Sequence, residues 1–179
     1  LSPEAPDSEV PRHPRATRAA GDHPASPEAV RVLIIATVLF TIFFAVWVMF
    51  SIIGVKMKKE FGLTDGEFAL LAAIPILTGS FLRVPVGIFT DRIGGRNMMM
   101  LLLIVTAIPT FLLGRVDTYN QAVWLGLGIG MAGTSFAAGI AWVSAWYPRE
   151  QQGFALGVFG AGNVGASITK LLAPTLVTA

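Results

Sequence analysis

The chain has 179 residues, of which 54% are hydrophobic and only 13% are charged, and its mean hydropathy is +0.67. Because a soluble domain ordinarily has roughly 25% charged residues, this composition disfavours a soluble globular protein. The formal net charge is only +2, and the absence of cysteine excludes a disulfide framework, a haem attachment site and a thiolate metal site.

Residues 1–31 contain six of the eleven prolines, charges of both signs and few large apolar side chains. Such a segment buries too little surface to offset the entropy that folding would cost it. It is also too long and too rich in proline for a secretory signal peptide. The sequence therefore predicts a disordered tail over residues 1–31.

Five long apolar stretches follow the tail. A helix needs about 20 apolar residues to cross the roughly 30 Å of membrane hydrocarbon, and a soluble helical protein does not contain five such helices in succession. The sequence therefore predicts an all-α membrane protein. The predicted spans are residues 32–55, 68–89, 97–114, 121–146 and 153–179.

Arg83 is the single charged residue of span 2, and no Asp or Glu lies within any predicted span. Its guanidinium could extend to the membrane interface along its own aliphatic stem. Alternatively, it could face a water-lined cavity and bind an anion, since charges within spans commonly mark a pathway. The second interpretation is favoured by Pro75, Gly79 and Gly87, which recur with Arg83 at every fourth position and place small residues beside it.

Enzymatic chemistry is not expected. Both histidines lie in the tail, and the predicted spans contain no carboxylate, whereas an intramembrane protease or metal enzyme needs such groups at membrane depth. The sequence thus predicts no enzyme activity, no metal, no cofactor and no nucleic-acid partner.

The loop after span 2 contains Gly87, then Asp91 and Arg92, then Gly94 and Arg96. This pattern resembles the cytoplasmic motif of the major facilitator superfamily. The resemblance implies that Asp91 and Arg92 pair with neighbouring helix ends and hold one conformer of a carrier closed. From the residues alone, an ordinary positively charged turn is the alternative. Basic residues near the spans give only a weak preference for one orientation. The resemblance of this loop to a cytoplasmic motif therefore favours an N-terminal tail in the cytoplasm.

Span 5 has five glycines, with Asn163 among them. Small residues four apart are typical of close helix packing, and so many glycines also indicate that the backbone approaches another group closely. The run from Gly160 to Gly165 resembles the signature of the nitrate/nitrite porter family within the major facilitator superfamily. The similarity takes in most of residues 30–179, including residues 77–83, 135–137 and 170–174.

This resemblance implies a major facilitator fold and alternating-access transport of nitrate, nitrite or both. The setting would be a bacterial inner membrane, with lipid around the helices and the N-terminus in the cytoplasm; nitrate assimilation would be its physiological role. Arg83 would hold the planar anion, Phe136 would cover one face of it, and the signature helix would line the site with Asn163, Gly162 and Gly165. The look of spans 2 and 5 favours proton symport over nitrate/nitrite exchange.

Lys170 is the single charged residue of span 5. Helical rise places it roughly 25 Å from the inner end of the span, near the outer surface, where its ammonium could simply reach water. The alternative is a positive charge in the outer vestibule that steers or couples the substrate.

The sequence begins with Leu and stops within an apolar run, and its five spans are fewer than the twelve of a complete major facilitator protein. We therefore expect a partial chain that lacks the C-terminal half of the carrier, where the family has a second arginine and a second glycine-rich signature. Two alternatives to nitrate/nitrite transport remain. One is a major facilitator carrier for another anion, and the other is a fragment that inserts into the membrane without transporting.

Overall fold

The computed structural model describes the backbone of residues 25–178 and the side chains of residues 25–172. Within these residues every regular element is helical, which confirms the predicted all-α class. In the described part of the chain, four helices are long and apolar enough to cross a membrane, and a bent pair of helices forms a fifth span if it is counted as one. The prediction of about five spans is therefore confirmed. Most of the predicted tail, up to residue 24, lies outside the described residues.

Span 1 is a single helix, α1 (Pro27–Glu60), of 34 residues. It begins with a proline at its first position, and the Ser26 hydroxyl accepts a hydrogen bond from the Ala29 amide at 3.2 Å; both features favour a helix start. The tail boundary predicted at residue 31 is therefore wrong, because these signals start the helix before the apolar stretch. At 1.5 Å per residue, α1 is roughly 50 Å long, so it extends beyond the hydrocarbon.

Span 2 consists of α2 (Asp65–Phe81) and α3 (Arg83–Ile93), which meet at Leu82 with a bend of 40°. The sequence predicted one uninterrupted helix here. Pro85 explains the difference, because a proline has no amide hydrogen to donate to the carbonyl four residues earlier, and its ring clashes with that carbonyl. The carbonyl concerned belongs to Phe81, the last residue of α2.

The other spans contain short 3₁₀ turns. Span 3 comprises α4 (Gly95–Leu112) and the turn Leu113–Arg115. Span 4 comprises α5 (Tyr119–Gly130), the turn Met131–Thr134 and α6 (Ser135–Ser144). Span 5 comprises α7 (Arg149–Gly160), the turn Ala161–Asn163 and α8 (Val164–Thr178). These bounds lie within a few residues of the predicted ones.

Helix α1 is the centre of the packing and contacts α2, α5, α6, α7 and α8. The buried apolar residues form two clusters, one towards each end of α1. The first includes Phe40, Phe43, Met99, Leu102, Val143 and Phe159, and the second includes Phe50, Met57, Leu71, Leu113 and Ile129. Many large apolar side chains point outwards as well, which suits helices surrounded by hydrocarbon rather than water.

Candidate functional site

Arg83 is the first residue of α3, directly after the break in span 2. Its side chain is exposed, and its Nη2 donates to the backbone carbonyl of Gly133, in the 3₁₀ turn of span 4, at 3.5 Å. In the part of the chain whose side chains are described, Arg83 forms no ion pair. Because a guanidinium has five N–H donors, donors remain available for an anion.

The backbones of spans 2 and 4 touch immediately beside Arg83. A Cβ added to Gly79 would lie 2.8 Å from the Gly130 carbonyl oxygen, and one added to Gly130 would lie 2.8 Å from the Pro75 carbonyl oxygen. Side chains cannot occupy such short distances, so glycines are required at this crossing. Gly79 thus lies in the helix contact predicted for its face, whereas a Cβ added to Gly87 would have no neighbour within 4 Å among the described residues.

Phe136 lies in the first turn of α6 and is half-buried. Its ring centroid is 5.4 Å from that of Phe40 and 6.0 Å from that of Phe159, so it belongs to an aromatic cluster between spans 1, 4 and 5. It follows Gly133, the partner of Arg83, by three residues. Span 4 therefore places Phe136 close to the turn that contacts Arg83. That Phe136 covers one face of an anion stays a prediction.

The glycine-rich run of span 5 has two faces. Gly162 and Gly165 are buried against α1: an added Cβ would lie 2.7 Å from the Phe40 ring in the first case and 2.3 Å from the Thr41 carbonyl oxygen in the second. Asn163, by contrast, is exposed. Helix packing accounts for both glycines, and their predicted contact with the anion stays a prediction, as does that of Asn163.

The loop motif forms the tight connection between α3 and α4. Gly94 has φ = 84°, a left-handed conformation that glycine adopts without strain. Asp91, Arg92 and Arg96 are exposed, and within the described residues none of them forms an ion pair. The predicted pairing with neighbouring helix ends is therefore not made within this part of the chain.

A groove of about 810 Å³ lies beside this motif and is lined by residues of α1, α3, α4 and α6. Asp91 and Arg96 line it together with Glu28 and Arg31 from the first turns of α1. Glu28 is not among the predicted site residues, because it falls within the predicted tail. The helix-start signal at residues 26–27 could have revealed that Glu28 belongs to α1.

Lys170 lies on α8, and its side chain is exposed. It forms no ion pair with any side chain in residues 25–172. Both interpretations of this residue, an ammonium that reaches water and a charge in the vestibule, fit this position.

The ion pairs of the described residues lie where α1 ends and α2 begins. Lys58 pairs with Asp65 and lowers the pKa of that carboxyl through a hydrogen bond and its charge. The backbone amide and hydroxyl of Thr64 donate to Glu67 and lower its pKa as well. These contacts close a capping box at the start of α2, which fixes the entry of span 2.

Two comparisons with known proteins bear on this arrangement. A family model described as Major Facilitator Superfamily matches residues 35–179. The chain is also 50% identical over 151 residues to a Thermus thermophilus protein named probable nitrate/nitrite antiporter NarK1. That alignment covers 84% of this chain and 34% of the Thermus protein.

Other relatives have related names. The chain is 35% identical over 136 residues to the nitrite extrusion protein of Bacillus subtilis, covering 76% of this chain and 34% of that protein. It is 34% identical over 148 residues to a Mycobacterium tuberculosis protein named probable nitrate/nitrite transporter NarK2, covering 81% of this chain and 38% of that protein. The chain thus spans little more than a third of the length of these relatives, and the predicted family resemblance is confirmed.

Proposed function

This chain belongs to the Major Facilitator Superfamily, and we propose that it forms the N-terminal part of a carrier that moves nitrate, nitrite or both across a membrane by alternating access. The names of its relatives support the substrate. Since the chain covers about a third of their length, the remainder of the carrier would supply the opposite side of the site. We place this multi-pass protein in a bacterial inner membrane with its N-terminus in the cytoplasm.

The orientation has support from the groove beside the loop motif. Arg31 and Arg96 both line it, so the start of α1 and the α3–α4 connection lie at the same end of the molecule. Basic residues next to spans favour the cytoplasmic side, so Arg31 and Arg96 both favour a cytoplasmic location for this end of the molecule.

The observation that carries the proposal is the position of Arg83. It is a permanent cation at the break of an apolar span; among the described residues it contacts a carbonyl and no carboxylate. A charge within a span is costly unless it serves a pathway or a ligand. A planar guanidinium matches the oxygens of a planar anion through two parallel hydrogen bonds, which nitrate and nitrite can accept.

The test is nitrate uptake by the complete carrier with Arg83→Lys, which keeps the charge and loses the two-pronged geometry. Hydrogen bonds to charged groups are worth about 1.5–3 kcal/mol, so we expect the apparent KM to rise roughly 10- to 100-fold. Arg115→Lys, at an exposed arginine that ends span 3, is the matched control and should leave KM unchanged. Normal uptake by the Arg83 variant would contradict the proposal.

Nitrate/nitrite exchange is a second candidate for the coupling mode, beside the proton symport favoured by the sequence. It is supported by the word antiporter in the name of the Thermus relative and by the absence of carboxylates from the predicted spans, since a carboxylate is the usual carrier of a coupling proton. Vesicles containing the complete carrier and loaded with nitrite separate the two. Exchange predicts nitrate uptake that needs internal nitrite, and symport predicts uptake that needs an inward proton gradient.

A further inference from the structure

Trp47 of α1 lies where spans 1, 2 and 4 meet. Its indole Nε1 donates to the Pro75 carbonyl of α2 at 3.3 Å. A Cβ added to Gly133 would lie 3.5 Å from both Cε2 and Nε1 of the same indole, so the ring lies next to Gly133 in the 3₁₀ turn of span 4. The side chain is half-buried, and this one residue is thus adjacent to two other spans.

Both contacts concern the elements that hold Arg83. Pro75 belongs to α2, which leads into the break where Arg83 begins α3. Gly133 supplies the carbonyl that accepts the hydrogen bond from Arg83. The indole therefore binds α2, which ends two residues before Arg83, and lies next to the turn whose carbonyl accepts the hydrogen bond from the guanidinium.

We propose that Trp47 is a positioning residue for Arg83: its indole N–H holds α2, and its ring holds the Gly133 turn, so that the guanidinium meets the anion in one orientation. This inference rests on the proposed function, in which Arg83 binds the anion. Two-pronged binding needs a donor held within a fraction of an ångström. A displaced guanidinium would keep its charge and lose one of its two hydrogen bonds.

Packing alone would make a different prediction. The Trp47 ring is 5.4 Å from that of Phe44, a contact that another aromatic ring can also make. A residue of the same shape without the N–H would then preserve transport. The hydrogen bond to Pro75 is therefore the part of the side chain to remove.

The experiment uses the complete carrier with benzothienylalanine at position 47, which replaces the indole N–H by sulfur and keeps the ring shape. 5-Fluorotryptophan at the same position keeps the donor and controls for incorporation of an unnatural residue. Trp47→Phe is the simpler variant, and Trp124→Phe, at a tryptophan of α5 that is 68% exposed, is its matched control. The readouts are the KM and the maximal rate of nitrate uptake. The maximal rate is divided by the amount of carrier present in the membrane.

We expect benzothienylalanine to raise KM roughly 3- to 10-fold, the range for loss of about one hydrogen bond, with the maximal rate changed less than about 2-fold. The 5-fluorotryptophan and Trp124→Phe proteins should behave like the wild type. An unchanged KM with benzothienylalanine, or a maximal rate that falls as far as KM rises, would overturn the inference while leaving Arg83 as the clamp. Absence of uptake of both nitrate and nitrite by the wild-type carrier would overturn the proposed function and this inference with it.

Discussion

Arg83 at the break of span 2 and the glycine run of span 5 are both predicted to line the anion site, yet these two regions are built differently. At the break, the polypeptide exposes a charged side chain, Arg83, and supports it with a carbonyl. In the glycine run, Gly162 and Gly165 have no space for a side chain and lie against α1. Asn163 and Val164, which lie between these two glycines, are both exposed.

This difference separates two reasons why a residue type can characterise a family. A charge at membrane depth is costly and is kept for what it binds. A glycine at a crossing is kept because a larger residue would push two helices apart. Residues of one short motif can therefore serve the site and the scaffold separately.

The largest expected effect is a loss of stability, and it concerns the glycines of span 5 that pack against α1. Gly165→Ala would place a Cβ 2.3 Å from the Thr41 carbonyl oxygen, so the two helices must separate. Overpacking of this kind costs about 1–3 kcal/mol. We expect a clearly lower thermal unfolding temperature for the purified complete carrier.

Gly157→Ala is the matched control, because its Cβ would have no neighbour within 4 Å in the described residues. Alanine is the better helix former by roughly 1 kcal/mol, so this variant should be neutral or slightly more stable. Equal stability of the two alanine variants would show that the contact with α1 is not what requires Gly165.

A smaller effect, confined to transport, is expected at the outward face of the same run. Asn163→Ala removes a side chain that is exposed and has no hydrogen-bonding partner among the described residues. The unfolding temperature should therefore stay unchanged. Loss of one hydrogen bond to the anion would raise the KM for uptake roughly 2- to 10-fold.

Asn120→Ala, at an exposed asparagine in the first turn of α5, is the control for this variant and should change neither quantity. If Asn163→Ala lowered stability and left KM unchanged, the whole glycine run would serve helix packing rather than anion binding. Its contrast with Arg83 at the break of span 2 would then be complete.

The smallest expected effect concerns the capped start of span 2. The pKa values of Asp65 and Glu67 are lowered from their ordinary values of 3.8 and 4.5. A carboxyl with a lower pKa in the folded state contributes stability above its unfolded-state pKa, and that contribution is lost as the pH falls through the folded-state value. We expect a small loss of thermal stability below about pH 4.

Asp65→Asn should reduce this acid-dependent loss, whereas Asp117→Asn, at an acid that forms no ion pair in the described residues, should preserve it. Thermal unfolding of the purified carrier between neutral pH and about pH 3 measures both. An identical pH profile for the Asp65 variant and the wild type would refute the assigned pair with Lys58.

Much of this arrangement could be predicted from the sequence, because a helix that crosses membrane hydrocarbon must be long and apolar. Length and hydropathy were sufficient for the five spans, and a lone charge in an apolar span was sufficient to single out Arg83. The start of α1 was also predictable in principle, since Ser26 and Pro27 are a helix-start signal that hydropathy overlooks.

Other features depend on neighbours that no local pattern specifies. Glycine spacing does not reveal which helix Gly165 meets, and nothing around Gly133 indicates that its carbonyl accepts a hydrogen bond from Arg83. Trp47 resembles any aromatic residue of a membrane helix until its contact with Pro75 is known. Such relations arise from packing between distant segments, so the sequence pattern leaves them open.

The crossing of spans 2 and 4 also bears on how selectivity can evolve. Beside Arg83, the wall of the candidate site is main chain: the Gly133 carbonyl and the touching backbones at Gly79 and Gly130. Single substitutions can neither remove a carbonyl nor enlarge these glycines without separating the helices. Heritable adjustment to a different anion must therefore come from the side chains around this wall, so the clamp can persist while the substrate range of a lineage changes.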